Sequence, residues 1–232
     1  MDAAAILDLR PELLAGAQAL GLALGARQAD QLLDYLSLIA KWNKVYNLTA
    51  VRDPREMLTH HLLDSLAVVA PLRRETTGWP AVPPCTSAAT PPARLRLLDV
   101  GSGAGLPGVV IAICCPDIAV HCVDAVAKKA AFIQQAAATV GAANLHAVHE
   151  RAESLPGPFD VITSRAFASL ADFVALSAQA LAPGGLWLAM KGKHPTDEVA
   201  ALPATVSVFH VEQLAVPGLA AERRIVWMRR RA

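Results

Sequence analysis

The sequence is poor in cysteine and has no long apolar run. Its 232 residues include four cysteines, at positions 85, 114, 115 and 122, whose spacing matches neither a C-x-x-C pair nor a zinc site, so the pattern predicts free thiols. Apolar stretches such as 109–115 fall far short of the roughly 18 residues that a membrane-spanning helix requires. No basic segment precedes an apolar run at the amino terminus to mark a secretory signal. These absences predict a cytoplasmic protein that does not contact the membrane.

A large charge imbalance is absent as well. The formal net charge is +1, which argues against nucleic-acid binding driven by bulk charge alone. The basic residues nevertheless form two groups along the chain, namely Lys41, Lys44, Arg52 and Arg55, and then Arg223, Arg224, Arg229, Arg230 and Arg231. Such groups are usually solvated faces, although two of them at the edges of one surface would also suit phosphates.

Length and hydrophobic content predict one core with a small appendage. Hydrophobic residues make up 54% of the chain, which is enough for a single domain. Apolar side chains recur every three or four residues over 28–40, which is typical of an amphipathic helix. Asp53-Pro54 has the signature of a helix start, and this second helix is predicted to run to about Ala70. We therefore predict a helical cap over 1–72, a proline-rich linker or loop over 73–93 and a sheet domain over 94–232.

The most informative segment reads RLRLLDVGSGAGLPG, at 94–108. The run from Leu95 to Val100 predicts a strand buried on both faces, and Gly101, Gly103 and Gly105 allow a sharp turn that a ligand can approach closely. A helix over 108–115 would aim its amino-terminal N–H groups at that ligand. A second apolar strand ends at Asp124, roughly twenty residues further on, where nucleoside-binding folds place the carboxylate that binds ribose hydroxyls.

Strands and helices continue to alternate along the rest of the chain. Strand patterns cover 118–124, 145–149, 159–163 and 186–190, helix patterns cover 126–140 and 170–181, and a turn is predicted at 183–185. The tail offers strands over 205–211 and 224–230, joined as a hairpin through Pro217-Gly218. This order predicts a doubly wound α/β sheet, mostly parallel with an antiparallel edge strand.

The glycines are spaced G-x-G-x-G after an acidic residue, which differs from the G-x-G-x-x-G of nicotinamide-binding folds. The turn resembles the first motif of Rossmann-like S-adenosylmethionine-dependent methyltransferases. Further motifs narrow the resemblance: WNKVYNLT at 42–49, HLLDS at 61–65, GLPG at 105–108, SRAFA at 164–168, KG at 191–192 and ER at 222–223. Together they resemble the bacterial small-subunit (16S) ribosomal RNA guanine-N7 methyltransferases, the glucose-inhibited division protein B family.

The resemblance implies a cofactor, a partner and a set of site residues. The cofactor would be S-adenosylmethionine, contacted by Gly101, Gly103, Gly105, Leu106, Asp124, Ala152, Glu153 and Arg165. The partner would be 16S ribosomal RNA or the small subunit, and we expect a monomer. Guanine N7 carries a free lone pair, so its methylation needs no general base. No catalytic residue is therefore assigned, and Arg165 is the best candidate for positioning.

Two other functions are compatible with parts of the sequence. A nicotinamide-dependent oxidoreductase would use the same kind of glycine turn, and a noncatalytic RNA-binding module would need only the basic groups. His60, His61 and Asp64 share one face of the second predicted helix with a spacing that would suit a metal. A histidine beside a carboxylate is more often an ordinary surface or capping pair, and we predict no metal site.

Overall fold

The computed structural model describes residues 6, 8–79, 95–167 and 169–231. The chain begins with helices α1 (Arg10–Ala19) and α2 (Ala26–Tyr46). Helix α2 buries Leu32, Leu36 and Ile39 along one side, so the predicted amphipathic helix is confirmed. Within these residues, no helix is both long enough and apolar enough to cross a membrane.

The second predicted helix contains a π-helical segment and ends at a turn over 67–68. Asp53 caps its start, because one carboxylate oxygen accepts hydrogen bonds from the backbone N–H groups of Arg55 (2.9 Å) and Glu56 (3.1 Å), as predicted. The chain forms α3 (Pro54–Met57), a π-helical segment (Leu58–Leu63), α4 (Asp64–Leu66) and, after a turn, α5 (Val69–Glu75). The predicted helix therefore ends at Leu66, a few residues before the predicted end near Ala70.

Helix α5 ends inside the range 73–93 that the sequence marks as a linker. Trp79 follows it, partly buried, and packs against the core. The prediction for the remainder of that range lies outside the described residues. The thiols of Cys114, Cys115 and Cys122 are free, as predicted, whereas Cys85 also falls outside the described residues.

The seven described strands form one sheet in the order β3-β2-β1-β4-β5-β7-β6. The strands are β1 (Leu95–Val100), β2 (Ile118–Asp124), β3 (Leu145–His149), β4 (Phe159–Arg165), β5 (Leu181–Lys191), β6 (Val206–Leu214) and β7 (Arg223–Arg230). Strands β1 to β5 pair in parallel, and β7 runs antiparallel to both β5 and β6. The predicted mostly parallel sheet with an antiparallel margin and a final hairpin is confirmed.

Helices cover both faces of this sheet. They are α6 (Gly108–Cys114), α7 (Ala127–Val140), α8 (Leu170–Ser177) and α9 (Thr196–Ala200), with short 3₁₀ turns at Ala152–Ser154 and Ala178–Ala180. Successive residues of β1 point to opposite faces. Leu97 packs into the cluster formed with the cap, α6 and α7, and Leu98 packs into the cluster that contains α8. The cap and one face of the sheet therefore share a single core.

The predicted turn at 183–185 has a different form in the structure. Strand β5 begins earlier, at Leu181, and its register against β4 shifts between Phe159 and Val161, where the extra residues of β5 are accommodated. Gly184 within this irregularity has a φ of +76°. The glycines thus mark a bulge inside a longer strand rather than the start of a strand.

Candidate active site

The glycine turn after β1 has the backbone conformation that the sequence predicts. Gly101, Gly103 and Gly105 have φ angles of +64°, +59° and +84°, a region that side chains disfavour. A Cβ at Gly101 would lie 2.6 Å from the Phe167 ring, and one at Gly105 would lie 2.5 Å from Val109. At Gly103 the nearest atom would be 4.0 Å away, so that part of the turn is open to a ligand.

Asp124 anchors this turn from the end of β2. Its Oδ2 accepts a hydrogen bond from the Gly103 N–H at 3.0 Å and lies 3.4 Å from Lys129 Nζ. Its Oδ1 accepts from the Val126 N–H at 2.9 Å. Each carboxylate oxygen can accept more than one hydrogen bond, so the side chain retains capacity for a ligand hydroxyl. Asp124 is thus next to the glycines, as the spacing predicts.

A cavity of about 460 Å³ lies on the β2 side of the turn. Gly101, Asp124, Ala152 and Glu153 all line it, and Phe167 closes one wall. The 3₁₀ turn after β3 places Ala152 and Glu153 there. Four of the eight predicted cofactor-contacting residues therefore meet around one cavity at the carboxyl ends of parallel strands, where open α/β sheets bind ligands.

A larger cavity of about 660 Å³ lies on the other side of Phe167. It is lined by Gly101, Gly103, Leu106 and Arg165 from the predicted set, together with residues of the cap and of β5 and β7. Gly101 and Phe167 belong to both cavities, which are therefore neighbours. Gly105 lines neither of the two and instead lets the chain pass close to Val109.

An ion cluster that sequence reasoning missed lies in the larger cavity. Asp64, almost fully buried, accepts a hydrogen bond from Arg165 Nη1 at 2.9 Å and another from Arg223 Nε at 2.8 Å. Arg165 Nη1 also donates to the backbone carbonyl of His60 at 2.8 Å. Asp64 and Arg223 each belong to a motif that carries the family resemblance, but nothing in their spacing along the chain predicts that the two side chains pair.

The second basic group noted in the sequence is spread along a strand, and its members have different partners. Arg223 and Arg230 lie at opposite ends of β7, and only the first lines the larger cavity. Arg55 lies near Glu12, at 3.3 Å. Arg229 stacks over the ring of Phe209 at 5.2 Å. The site is therefore served by individual basic side chains rather than by either group as a whole.

His61 also lines the larger cavity, but it does not form a metal site with its neighbours. Burial, with the charge of Arg165 as a further cause, lowers the pKa of His61 to about 4. Both ring nitrogens are buried without a hydrogen-bond partner among the described residues. The described residues contain no group of three or more His, Cys, Asp and Glu side chains arranged to hold a metal ion. Asp64, the carboxylate of that hypothesis, pairs with arginines instead.

Buried polar groups support the glycine turn from below and from the cap. Burial raises the pKa of Asp99 to about 7, and its Oδ2 accepts a hydrogen bond from the Gly108 N–H at 2.8 Å, at the start of α6. From α2, the Tyr35 hydroxyl donates to the Ala104 carbonyl at 2.5 Å. The cap therefore contacts the turn directly and helps to fix its shape.

These residues fit S-adenosylmethionine. The turn is open at Gly103, the Asp124 carboxylate can accept ribose hydroxyls beside it, and the smaller cavity next to Asp124 provides room for a nucleoside. With the sheet order and its antiparallel strand β7, this site defines the class as Rossmann-like S-adenosylmethionine-dependent methyltransferases.

Comparisons with known proteins identify the family within that class. The family described as rRNA small subunit methyltransferase G matches residues 28–226. A protein named ribosomal RNA small subunit methyltransferase G from Acidovorax sp. strain JS42 is 70% identical over 214 residues, which are 92% of either chain. Another of that name from Albidiferax ferrireducens is 66% identical over 225 residues, covering 97% of this chain and 99% of the relative. The chain belongs to the rRNA small subunit methyltransferase G family.

Solved structures share the fold at low sequence identity. TrmN from Thermus thermophilus superimposes with a TM-score of 0.54 and 18% identity, covering 75% of this chain and 53% of that one. The ribosomal protein L11 methylase from Lactobacillus delbrueckii subsp. bulgaricus gives a TM-score of 0.52 at 14% identity, covering 72% and 79%. The family decides against the oxidoreductase and the noncatalytic RNA-binding module that the sequence left open.

Proposed function

We propose that the protein transfers the methyl group of S-adenosylmethionine to N7 of a guanine in 16S ribosomal RNA. The observation that carries this proposal is the pair of neighbouring cavities at the carboxyl ends of the strands, in a chain of this family. One cavity contains Asp124 and the other contains two arginines. We assign the cofactor to the glycine turn and the smaller cavity, and the target guanosine to the larger one.

Five of the predicted residues have roles consistent with this assignment. Asp124 would bind the ribose hydroxyls of the cofactor, Ala152 and Glu153 would line its adenine base, and Leu106 would line the larger cavity beside the glycine turn. Arg165, at the end of β4, would position the reacting groups from the floor of the larger cavity. When bound, S-adenosylmethionine supplies an electrophilic methyl group on a sulfonium centre.

Direct displacement is the mechanism that these side chains suit. Guanine N7 attacks through its lone pair and loses no proton, so the protein needs to hold the base and the methyl group in line rather than to remove a proton. Asp64 is held by two arginines, and the lowered pKa of His61 makes it a weak base. Neither group is poised to act as a general base.

The test is methyl transfer to three forms of the substrate: naked 16S ribosomal RNA, a partly assembled small subunit and the mature small subunit. We expect 7-methylguanosine as the product. N7 methylation leaves a positively charged base, so borohydride reduction followed by aniline should cleave the RNA chain at the modified site. A methyl group on N1, N2 or the ribose would contradict the proposal.

A substituted substrate tests the reacting atom itself. Replacing the target guanine by 7-deazaguanine removes N7 but keeps base pairing and overall shape. We expect transfer to be abolished while RNA binding is retained. Methyl transfer to the 7-deaza substrate would show that another atom is the nucleophile.

We also propose that the protein acts as a monomer in the cytoplasm, where its ribosomal substrate is assembled. Both cavities are built from residues of one chain, so no second copy is needed to complete them. Light scattering of the protein with and without RNA would check the stoichiometry. A dimer as the active species would contradict this part of the proposal.

A further inference from the structure

Three elements that are far apart in the sequence meet at one wall of the larger cavity. Asp64 is the first residue of α4, directly after the π-helical segment. Arg165 is the last residue of β4, and Arg223 is the first residue of β7. All three side chains line the cavity that we assign to the target guanosine.

The carboxylate of Asp64 holds both guanidinium groups at once. Its side chain is 3% exposed, and its two oxygens accept from different arginines, Oδ2 from Arg165 and Oδ1 from Arg223. Arg223 is fixed further because its Nη1 donates to the Glu222 carbonyl at 2.9 Å. Charge-assisted hydrogen bonds of this kind set the direction of a guanidinium plane as well as its position.

The cluster retains positive charge and open donors. One carboxylate faces two guanidinium groups, so one positive charge is left over. Among the described residues, Nη2 of Arg223 has no hydrogen-bond partner, and neither do Nε and Nη2 of Arg165. The side chains of Arg223 and Arg165 are 23% and 20% exposed, so both reach the cavity while one nitrogen of each, Nε of Arg223 and Nη1 of Arg165, is held by Asp64.

We propose that Arg223, oriented by Asp64, binds a phosphate of the substrate RNA beside the target guanosine. The inference rests on the proposed function, because it takes RNA as the occupant of the larger cavity. RNA presents a phosphate at every nucleotide, and an arginine with a fixed plane and free donors suits it. Asp64 is then a positioning residue that acts through Arg223.

The local site also answers a difficulty raised by the composition. A formal net charge of +1 gives weak attraction to RNA at a distance, so affinity must come from placed contacts. A buried carboxylate that removes part of the local positive charge would be counterproductive if charge alone mattered. Its presence between the two arginines favours orientation as the function of the cluster.

The first test compares Arg223→Gln with Arg231→Gln, which removes the same charge beyond the far end of β7. RNA affinity is measured with S-adenosylhomocysteine present over a series of salt concentrations. We expect Arg223→Gln to weaken RNA binding about ten-fold and to lower the salt slope by about 0.7 to 0.9, as expected for one lost phosphate contact. S-adenosylhomocysteine affinity should not change, and Arg231→Gln should have little effect on either.

Equal losses of RNA affinity in the two variants would overturn the inference, because charge alone would then explain them. A loss of S-adenosylhomocysteine affinity with unchanged RNA binding would overturn it as well, and would assign the guanidinium to the carboxylate of the cofactor. These measurements are separate from the identity of the product. If the wild-type protein failed to methylate guanine N7, the proposed function would fail while the comparison of the two variants still reported on the phosphate contact.

The second test is Asp64→Asn, which keeps the shape of the side chain but removes its charge. Bulk electrostatics predicts tighter RNA binding, because the net charge rises by one. Positioning predicts weaker binding and a higher KM for RNA, and this is the result we expect. If Asp64→Asn does not fold, the deciding variant is Arg223→Lys, which keeps the positive charge but loses the guanidinium plane. We expect this variant to bind RNA more weakly with an unchanged salt slope. RNA binding with wild-type affinity would overturn the inference.

Discussion

At the scale of single residues, the site depends on carboxylates that hold other protein groups in place and also border a ligand cavity. Asp124 ties the glycine turn to the start of α7 through the N–H groups of Gly103 and Val126. Because it is buried to 6% exposure and still borders the smaller cavity, any ligand there meets an acceptor whose direction is already fixed. Preorganisation of this kind lowers the entropic cost of ligand binding, because the side chain is already ordered.

We predict that Asp124→Ala weakens S-adenosylhomocysteine binding by about 1 to 3 kcal/mol, the range for loss of a charged hydrogen-bond partner. Isothermal titration calorimetry measures the change. The matched control is Asp160→Ala, because Asp160 Oδ2 also accepts a backbone N–H, that of Arg96 at 2.7 Å, but lines neither cavity. An unchanged dissociation constant for Asp124→Ala, or an equal loss in the control, would show that this carboxylate does not bind the cofactor.

The residues of the site differ in how far the sequence could predict them. Asp124 was predictable, because a strand followed by an acidic residue at a fixed distance from the glycines places it beside the turn. Asp64 and Arg223 are 159 positions apart, and their pairing joins a helix of the cap to a strand of the sheet. Nothing in the sequence predicts that this strand contacts the cap. A contact of that kind depends on how the cap packs on the sheet, and no periodicity in the chain encodes it.

At the scale of elements, the close packing of α6 on the sheet determines where the glycine turn points. Gly108 begins this helix directly over β1 and β2. A Cβ there would lie 2.3 Å from Cys122 Sγ and 2.8 Å from Asp99 Oδ2. The helix can therefore keep its position, and donate its N–H to Asp99, only if this residue has no side chain.

We predict that Gly108→Ala lowers the free energy of unfolding by about 1 to 3 kcal/mol, because overpacking forces the helix and the strands apart. Urea denaturation of the variant measures the loss. Gly192→Ala is the matched control, since a Cβ there would have its nearest neighbour 4.0 Å away and should leave stability nearly unchanged. Equal stability of the two variants would mean that the helix moves freely on the sheet.

The elements themselves were largely predictable, and the exceptions have a physical cause. Buried parallel strands are short apolar runs bounded by turn residues, so β1 and β3 have the predicted bounds. The π-helical segment Leu58–Leu63 lies inside a helical run, and no proline or glycine within the segment marks the change. This segment immediately precedes Asp64, which makes tertiary contacts at the site. Helix propensity alone does not predict a π-helical segment at this position.

At the scale of the whole molecule, the cap and the sheet behave as one body. Gln28 and Gln31 of α2 donate to the carbonyls of Ile113 and Val140, at 3.2 Å and 2.6 Å, and Tyr35 reaches the glycine turn. Side chains of the cap also belong to the same buried cluster as β1, α6 and α7. These noncovalent contacts join the cap to the sheet independently of the chain segment that connects it to β1.

We therefore predict that replacing residues 80–94 by a Gly-Ser sequence of equal length leaves the free energy of unfolding within about 1 kcal/mol of the wild-type value. Segments rich in proline, serine and alanine bury little apolar area, and loops of equal length have similar closure entropy. The replacement should begin after Trp79, because that side chain packs against the core, and Trp79→Ala is the positive control that should lower stability. Urea denaturation, monitored by circular dichroism, gives the free energy of unfolding of all three proteins. A loss of several kcal/mol in the Gly-Ser protein would show that the segment makes stabilising contacts that its composition does not suggest.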